Sequence, residues 1–251
     1  MSFYARSAPF YDALYRALGK DYAAEAEAVH EIIASHRAAP EGDLLDVGCG
    51  TGAHLEHLRR WYACEGLDAD TSMLKHAALR CPEMRLHLGD MISFNLERRF
   101  DAVVCLFSAI GYAPNAGRLD QTLATFARHL RPGGVAIVEP WVTPDRWMDG
   151  HVDALFADEP SVKVARMSVS RRDGNVSILN FHYMIAQSDG VRTFNEAHRV
   201  TLFTPQEYRQ AFLRAGFTVE HDEHGLGSGR GLYIGTLPGG SGDVCHGRNR
   251  E

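Results

Sequence analysis

The sequence lacks an excess of positive charge. Its 251 residues include 26 lysines and arginines against 32 aspartates and glutamates, which gives a formal net charge of -6 at pH 7. The arginines are scattered along the chain rather than clustered. Because nucleic acids attract proteins mainly through a positive surface, this balance argues against a nucleic-acid partner.

Cysteine is scarce as well, and long apolar runs are missing. The five cysteines form no C-x-x-C pair, and their odd number and wide spacing fit neither a disulfide framework nor a zinc site. The N-terminus shows no basic region followed by an apolar stretch, and no segment reaches the ~18 consecutive apolar residues that a membrane span requires. We therefore expect reduced thiols in a cytoplasmic protein, without export or membrane insertion.

What is present is the composition of a globular chain, with 45% hydrophobic and 23% charged residues. Residues 9–37 predict two N-terminal helices. Between residues 44 and 139, five short apolar runs, among them Leu44-Leu45-Asp46-Val47, alternate with segments of helical periodicity. Strands this apolar, alternating with helices, predict an α/β fold with a Rossmann-like parallel sheet that is covered on both faces.

The pattern changes after Trp141. From about Val162 to Phe203, three stretches of alternating character are separated by Asp173-Gly174-Asn175 and Ser188-Asp189-Gly190, which predicts an inserted antiparallel sheet. A helix capped by Thr204 and two last strands follow. We divide the chain into a helical lid with the cofactor core (1–150), the inserted sheet (151–203), the completion of the core (204–237) and a flexible tail (238–251).

The segment Asp46-Val47-Gly48-Cys49-Gly50-Thr51-Gly52 lies between a predicted strand and a predicted helix. Its glycines let a ligand approach the backbone, and its free N–H groups suit a nucleotide-like cofactor. The dinucleotide pattern G-x-G-x-x-G fails, because Ala53 and Leu55 fill the positions of the third glycine, so a dinucleotide oxidoreductase is a poor alternative. The phosphate-loop pattern fails too, since no Gly-Lys-Ser/Thr follows.

This segment and the next strand ends resemble the class I S-adenosylmethionine-dependent methyltransferases over most of residues 40–140. The later matches are Gly66-Leu67-Asp68, Gly89-Asp90-Met91, Leu106-Phe107-Ser108 and Arg131-Pro132-Gly133-Gly134. In that family the acidic residue at the place of Asp68 binds the ribose hydroxyls, and the one at the place of Asp90 binds the adenine amino group. The resemblance implies a class I methyltransferase sheet, S-adenosylmethionine as cofactor, and a cofactor site made of Tyr22, Asp46, Gly48, Gly50, Asp68, Asp90, Met91 and Leu106.

A narrower resemblance extends over nearly the whole chain up to Leu237. The segments at 19–22, 107–112, 139–141, 198–203 and 228–232 are similar to the N-methyltransferases of nucleotide-linked aminodeoxysugars, which serve antibiotic biosynthesis. That family methylates the amino group of a dTDP-sugar, usually twice in one active site. The resemblance implies a homodimer, an inserted sheet that helps to bind the acceptor, and acceptor contacts from Tyr4, Tyr15, Ser108, Glu139, Trp141 and Ser228.

The chemistry of methyl transfer adds candidate catalytic residues. The acceptor amine must attack as a neutral base although it is largely protonated at pH 7, so a nearby cation or proton acceptor would help. Tyr112 and Arg230 are the candidates, and Arg230 could instead bind the diphosphate. Tyr11 is expected near the transferred methyl group, in a lid over the cofactor, although the spacing of Tyr11, Tyr15 and Tyr22 also fits a buried helical stripe.

Two alternatives stay open at this point. One is a methyltransferase of the same core that acts on another small amine, such as glycine or a free natural-product scaffold. The other is a regulator that binds S-adenosylmethionine without catalysis. No metal is expected, because His54 and His57 have no recognisable set of ligand partners in the sequence.

Overall fold

The computed structural model describes residues 4–37 and 41–239. The strands are β1 Gly42–Val47, β2 Tyr62–Asp68, β3 Arg85–Leu88, β4 Phe100–Cys105, β5 Leu130–Val138, β6 Val152–Glu159, β7 Val162–Asp173, β8 Val176–Gln187, β9 Gly190–Thr201, β10 Thr218–Asp222 and β11 Leu232–Thr236. The α-helices are α1 Tyr11–Ala17, α2 Tyr22–His36, α3 Ala53–Leu58, α4 Thr71–Arg80, α5 Ala116–Arg128 and α6 Pro205–Arg214.

A central sheet holds seven strands in the order β10-β11-β5-β4-β1-β2-β3. Strands β1 to β5 pair in parallel, whereas β11 is antiparallel to both β5 and β10. Parallel neighbours end at the same edge of a sheet, so the turns after β1, β2, β3 and β4 meet on one side. The class I methyltransferase sheet predicted from the sequence is confirmed.

The central sheet is buried on both faces, as its apolar runs predict. One face packs against α5 and α6 through Leu123, Phe126 and Phe212. The other face packs against α2 through Ala26, Val29 and Ile33. Removing these side chains from water is the main stabilising contribution to such a fold, so the sheet is a rigid base for the turns at its edge.

The helix that completes the core begins as the sequence predicts. The Thr204 side chain accepts a hydrogen bond from the Glu207 backbone N–H, while the Glu207 carboxylate accepts one from the Thr204 N–H. Pro205 occupies the first helical turn, where its missing N–H costs nothing. A reciprocal cap of this kind is worth about 1 kcal/mol. It fixes where the chain returns from the insertion to the core.

The insertion is an antiparallel sheet of four strands in the order β6-β7-β8-β9. We expected three alternating stretches, and the fourth, β6, was missed because Phe156 lies exposed on the outer face between the buried Leu155 and Ala157. The two expected turns are confirmed: Gly174-Asn175 joins β7 to β8, and Ser188-Asp189 joins β8 to β9. The inner face packs on Phe10, Ala13 and Leu14, so α1 lies against the inserted sheet.

Other boundaries differ by a few residues. The helix expected over 119–130 is α5, which begins at Ala116 because the Asn115 side chain caps it. The strand expected from Val135 begins at Leu130, since 131–134 already belong to β5. Among the described residues, no helix is long and apolar enough to cross a membrane. Of the tail expected over 238–251, residues 240–251 lie outside the described part.

Candidate functional site

The glycine-rich turn after β1 lies against the turn after β4. Gly48, Gly50 and Gly52 all have positive φ angles, of 77°, 55° and 76°, which glycine adopts without steric cost. A Cβ added at Gly48 would lie 2.6 Å from the Cβ of Ala109. The two turns are therefore packed too closely for any side chain at position 48.

Asp68, at the end of β2, is fixed by two backbone groups. Its Oδ2 accepts a hydrogen bond from the N–H of Gly50 at 2.8 Å, and its Oδ1 accepts one from the N–H of Asp70 at 2.8 Å. Each oxygen keeps acceptor capacity for a further donor. Burial raises the pKa of this carboxyl above its ordinary value, even though the two N–H groups lower it. The geometry suits a pair of vicinal hydroxyls.

A cavity of about 530 Å³ opens above these turns. Its wall contains six of the eight residues expected at the cofactor: Gly48, Gly50, Asp68, Asp90, Met91 and Leu106. The Asp90 Oδ1 accepts a hydrogen bond from the N–H of Ile92 at 2.9 Å, which fixes this carboxylate at the end of the cavity nearest β3. The cavity therefore offers one carboxylate to a ribose, from Asp68, and another to a base, from Asp90.

The other two expected cofactor residues, Tyr22 and Asp46, are not among the residues that line this cavity. Among the described side chains, Tyr22 Oη and Asp46 Oδ2 are buried without a hydrogen-bond partner. His54 lies near both residues. Its ring centroid is 5.0 Å from that of Tyr22, and it interacts electrostatically with the Asp46 carboxylate. Burial raises the pKa of Asp46 to about 7. An orphaned donor and an orphaned carboxylate fit the carboxylate and ammonium groups of a bound methionine moiety.

A second cavity, of about 350 Å³, lies between α1, the turn after β4 and the inner face of the inserted sheet. Tyr15, Ser108 and Trp141, which the sequence predicts to contact the acceptor, line it together with Arg230, and we call it the acceptor cavity after that expectation. Four aromatic residues line both this acceptor cavity and the cofactor cavity: Tyr4, Tyr11, Phe107 and Tyr112. The structure thus brings all the predicted catalytic side chains to one place, with Tyr11 and Tyr112 at the boundary of the two cavities.

Glu139 and Ser228, also expected at the acceptor, lie beneath the wall of this cavity. Glu139 is 1% exposed, and its Oε1 accepts hydrogen bonds from Ser228 Oγ at 2.8 Å and from Arg230 Nη2 at 2.9 Å. Its Oε2 accepts one from the backbone N–H of Phe107 at 2.6 Å. Both oxygens are therefore used within the protein, and they fix the guanidinium that does reach the cavity.

The turn after β4 has an uncommon backbone. Phe107 and Ser108 have φ angles of 51° and 64°, a left-handed conformation that costs non-glycine residues energy. Glu139 stabilises it through the Phe107 N–H, and Ser108 Oγ donates a hydrogen bond to the Pro140 carbonyl at 2.7 Å. The ring of Phe107 lies 5.3 Å from the Arg230 guanidinium and 4.0 Å from Lys20 Nζ. This turn holds an aromatic ring between two cations where the cavities meet.

Several polar residues of the acceptor cavity were missed from the sequence, among them Arg146, Arg166 and His198. Arg166 and His198 are buried at 6% and 1% exposure on the inner face of the inserted sheet. One signal was present, because Val164, Arg166, Ser168 and Ser170 share a face by alternation and are all buried. A strand face that continues from valine into arginine and serine indicates a polar cavity rather than a core.

The comparisons with known proteins agree with this geometry. A family profile described as a methyltransferase domain matches residues 44–134. The dTDP-3-amino-3,4,6-trideoxy-alpha-D-glucopyranose N,N-dimethyltransferase of Streptomyces venezuelae is 45% identical over 230 residues, which cover 91% of this chain and 96% of that protein.

Two solved structures cover almost the whole fold. The crystal structure of Streptomyces venezuelae DesVI aligns with a TM-score of 0.87 at 45% identity, covering 92% of this chain and 98% of the other. CalS10 with bound S-adenosylmethionine, an amino pentose methyltransferase from Micromonospora echinaspora involved in calicheamicin biosynthesis, aligns with a TM-score of 0.81 at 40% identity, covering 90% and 96%. The chain belongs to the class I S-adenosylmethionine-dependent methyltransferases, in the family of the dTDP-amino sugar N,N-dimethyltransferases.

Proposed function

We propose that this protein transfers methyl groups from S-adenosylmethionine to the amino group of a dTDP-linked aminodeoxysugar, twice in succession, in antibiotic biosynthesis. The observation that carries the proposal is the aromatic wall shared by two cavities, one with the polar groups of a nucleoside and amino-acid site and one with cationic and aromatic groups. The name of the 45% identical relative supports the same substrate class.

S-adenosylmethionine, when bound, supplies a methyl group activated by its sulfonium. The protein has to align the acceptor amine with that methyl group and exclude water. The four aromatic residues at the boundary between the cavities align the amine and exclude water; they are Tyr4, Tyr11, Phe107 and Tyr112. The Tyr11 ring lies edge-on to Tyr4 at 5.6 Å and to Phe107 at 6.5 Å, so these rings support one another.

The remaining wall of the acceptor cavity suits a nucleoside diphosphate. Arg146, Arg166 and Arg230 reach it, with Asp153 as an opposing charge at the side of Arg166. Trp141 and Trp147 lie 6.4 Å apart in the same wall and offer an aromatic face to a thymine. A planar guanidinium binds phosphate oxygens in pairs, so these local donors outweigh the net charge of -6. The inserted sheet, which supplies Arg166, is proposed to bind the acceptor.

The first helix is proposed to act as the lid. Asp12 on α1 accepts hydrogen bonds from Thr51 Oγ1 at 2.7 Å and from Arg80 Nη2 at 2.6 Å. Thr51 belongs to the glycine-rich turn and Arg80 to α4. These bonds hold α1 over the cofactor side of the molecule, while its apolar residues pack on the inserted sheet. Both substrates would enter by loosening this contact.

A homodimer is proposed through the outer face of the inserted sheet. Phe156, Met167 and Met184 lie on that face, and each is more than half exposed, at 68%, 56% and 53%. Strand register places them side by side, since Phe156 and Met184 both pair with Ala165. A second copy would bury this apolar patch. The cytoplasm is the proposed compartment, because the four described cysteines are free thiols.

The experiment is methyl transfer from labelled S-adenosylmethionine to a panel of dTDP-amino sugars, with mass spectrometry of the products. We expect one sugar to gain first one and then two methyl groups, with competition by dTDP alone. Glycine and free amines without a nucleotide are the controls for the alternative small-amine activity. Cofactor binding without S-adenosylhomocysteine release for any amine would indicate a regulator and contradict the proposal.

The role of Arg230 has its own control within the same assay. An Arg230→Ala variant should raise the KM for the sugar nucleotide or lower kcat, because its guanidinium lies in the acceptor cavity. Arg214→Ala is the matched control, since this arginine lines neither cavity and its side chain is 59% exposed. Unchanged acceptor KM and kcat for Arg230→Ala would remove this residue from the site.

A further inference from the structure

A chain of side-chain hydrogen bonds leads away from the boundary of the two cavities. The Tyr4 and Tyr112 hydroxyl oxygens lie 2.6 Å apart, and the Tyr112 oxygen lies 2.8 Å from Nδ1 of His198. Tyr112 lines both cavities, and His198 lines the acceptor cavity. His198 is 1% exposed, so this path runs through the protein interior.

Glu196 stands at the far end of this path. Its Oε2 lies 3.9 Å from Nε2 of His198, and neither of these buried atoms has a hydrogen-bond partner among the described residues. The other carboxylate oxygen, Oε1, accepts hydrogen bonds from the backbone N–H groups of Arg6 and Ser7, at 3.1 Å and 3.2 Å. Glu196 is therefore held in place by the N-terminal segment, with one oxygen directed at the imidazole.

This arrangement selects the tautomer of His198. A carboxylate beside Nε2 attracts a proton on that nitrogen and repels a lone pair there. With the proton on Nε2, Nδ1 carries the lone pair and accepts a hydrogen bond from the Tyr112 hydroxyl. The ring is then a base whose lone pair faces the Tyr112 hydroxyl, with the carboxylate of Glu196 on its opposite side.

We propose that His198, oriented by Glu196, is a relay residue that takes the proton released by the methylated amine through Tyr112. This inference rests on the proposed function, because the proton that it follows is the one released from the methylated amine. A second methylation makes the relay necessary, since the monomethylated product is an ammonium whose lone pair must be freed before it can react again.

The proton balance closes within the chain. The N–H bond of the ammonium breaks, and its electron pair remains on nitrogen. The proton passes to the Tyr112 oxygen while the hydroxyl proton of Tyr112 passes to Nδ1 of His198. The product is an imidazolium opposite the Glu196 carboxylate, and solvent removes its proton after release of the products.

The surroundings of Tyr112 favour a neutral hydroxyl that passes a proton on, rather than a tyrosinate anion. Burial raises the pKa of both Tyr112 and Tyr4 above the ordinary value for tyrosine, so neither holds a negative charge at neutral pH. Burial also raises the pKa of Glu196, but contacts with His198 and Ser7 lower it by more, so Glu196 remains ionised. Phe181 separates the His198 ring from Arg166, with the Phe181 centroid 5.4 Å from that of His198 and 4.4 Å from the guanidinium.

The titratable and charged groups packed around His198 come from several elements. Tyr4 of the N-terminal segment, Tyr112 of the turn after β4 and Glu196 of its own strand contact it, whereas Arg166 of β7 and Tyr183 of β8 lie beyond the ring of Phe181. Glu196 is the one among these that carries negative charge at neutral pH. Its carboxylate is therefore the anionic group that faces Nε2 of the imidazole.

The first test needs no substrate. In the nitrogen-15 NMR spectrum of the whole protein, His198 should carry its proton on Nε2 when neutral, and Glu196→Gln should weaken that preference. A dominant Nδ1–H tautomer in the wild-type protein would overturn the relay, even if the protein methylated no amino sugar. His224, whose side chain is 99% exposed, provides the reference signal.

The second test is the pH profile of kcat at saturating substrates. His198→Asn should lower kcat about tenfold or more and remove the acidic limb assigned to the imidazole. Glu196→Gln should move that limb to lower pH, because the imidazolium loses its carboxylate. His224→Asn is the matched control. If the His198→Asn and Glu196→Gln profiles keep the wild-type shape after scaling, the residues are merely structural and the relay is rejected.

Discussion

Arg230 and Glu139 form one unit beneath the acceptor cavity. The guanidinium donates to a single carboxylate oxygen from Nε at 3.1 Å and from Nη2 at 2.9 Å, while the second oxygen holds the Phe107 N–H. The position of the cation and the conformation of the turn after β4 thus depend on one buried side chain.

We therefore predict that the two residues act together in turnover. Glu139→Gln and Arg230→Gln should each lower kcat/KM for the sugar nucleotide about 10- to 100-fold, or ~1.4 to ~2.8 kcal/mol of transition-state stabilisation. The double variant should be little worse than the Arg230 variant, because residues in direct contact couple. Steady-state kinetics of all four proteins measures this, and strictly additive losses would contradict it.

Asp68 should control cofactor affinity. Replacement by Asn puts an amide donor opposite one of two backbone N–H groups and removes the charge that would strengthen ribose hydrogen bonds. A hydrogen bond to a charged group contributes about 1.5–3 kcal/mol, so the Kd for S-adenosylhomocysteine should rise about 10- to 100-fold. Calorimetric titration measures this, with Asp189→Asn, in the exposed turn before β9, as the control. Equal affinities would place the ribose elsewhere.

Asp46 should make cofactor binding dependent on pH. Burial raises its pKa from 3.8 to about 7, so the carboxyl becomes an anion, able to pair with the ammonium of the methionine moiety, only as the pH rises through that value. Affinity for S-adenosylhomocysteine should therefore increase between about pH 6 and about pH 8. Asp46→Asn should remove the increase, and a pH dependence that survives this substitution would assign it to another group.

The same carboxyl has the opposite effect on the stability of the free protein. Since its pKa is higher in the folded state, the folded state binds the proton more tightly. Its contribution is present at low pH and is lost as the pH rises from about 4 to about 7. Chemical denaturation should show the Asn variant gaining in free energy of unfolding relative to the wild type over this range, without the cofactor.

Tyr11 and Tyr15 should have separable effects. Tyr11 lines both cavities, whereas Tyr15 lines the acceptor cavity and its hydroxyl accepts a long hydrogen bond from Arg166 at 3.5 Å. Tyr11→Phe should lower the rate of methyl transfer by about fivefold, since a single hydrogen bond is worth about 1 kcal/mol. Tyr15→Phe should mainly raise the KM for the sugar nucleotide. Single-turnover rates separate the two, and unaltered transfer by Tyr11→Phe would reject a role for its hydroxyl.

Phe156 should determine the oligomeric state. Replacing it by Asp puts a charge in the outer apolar patch, and light scattering should then show a monomer in place of a dimer. Leu79→Asp is the matched control, because Leu79 is also exposed, at 80%, but lies on α4. A wild-type monomer, or a dimer unaffected by Phe156→Asp, would contradict the proposed interface.

Local patterns account for what the sequence predicted. The turn from Asp46 to Gly52 and the carboxylates Asp68 and Asp90 follow strand ends directly, so their meeting at one edge follows from the parallel order alone. The hairpin turns at Gly174 and Gly190 could be predicted from the Asp-Gly pairs in the sequence. Both glycines adopt the positive φ angles that such turns require. Strand β6 was missed because its outer positions include the apolar residues Val152 and Phe156, whereas alternation is recognised from the sequence only when the outer positions are polar.

Pairings across the fold could not be predicted. Glu139 and Arg230 are separated by 91 positions, and Tyr112 and His198 by 86. Single charged residues within strands, such as Glu196, have the pattern of surface positions. Their burial depends on α1 and the N-terminal segment covering the inserted sheet, which no local periodicity reveals.

The contact between Gly48 and Ala109 has a consequence for engineering. Attempts to change acceptor specificity would naturally vary the turn from Phe107 to Tyr112, because Phe107, Ser108 and Tyr112 line the acceptor cavity. Because a Cβ at position 48 would already lie 2.6 Å from the Ala109 side chain, the two turns interlock. Many variants in a library at this turn would therefore lose affinity for S-adenosylmethionine before their acceptor specificity changed. Selections for new acceptors would need to keep a small residue at position 109.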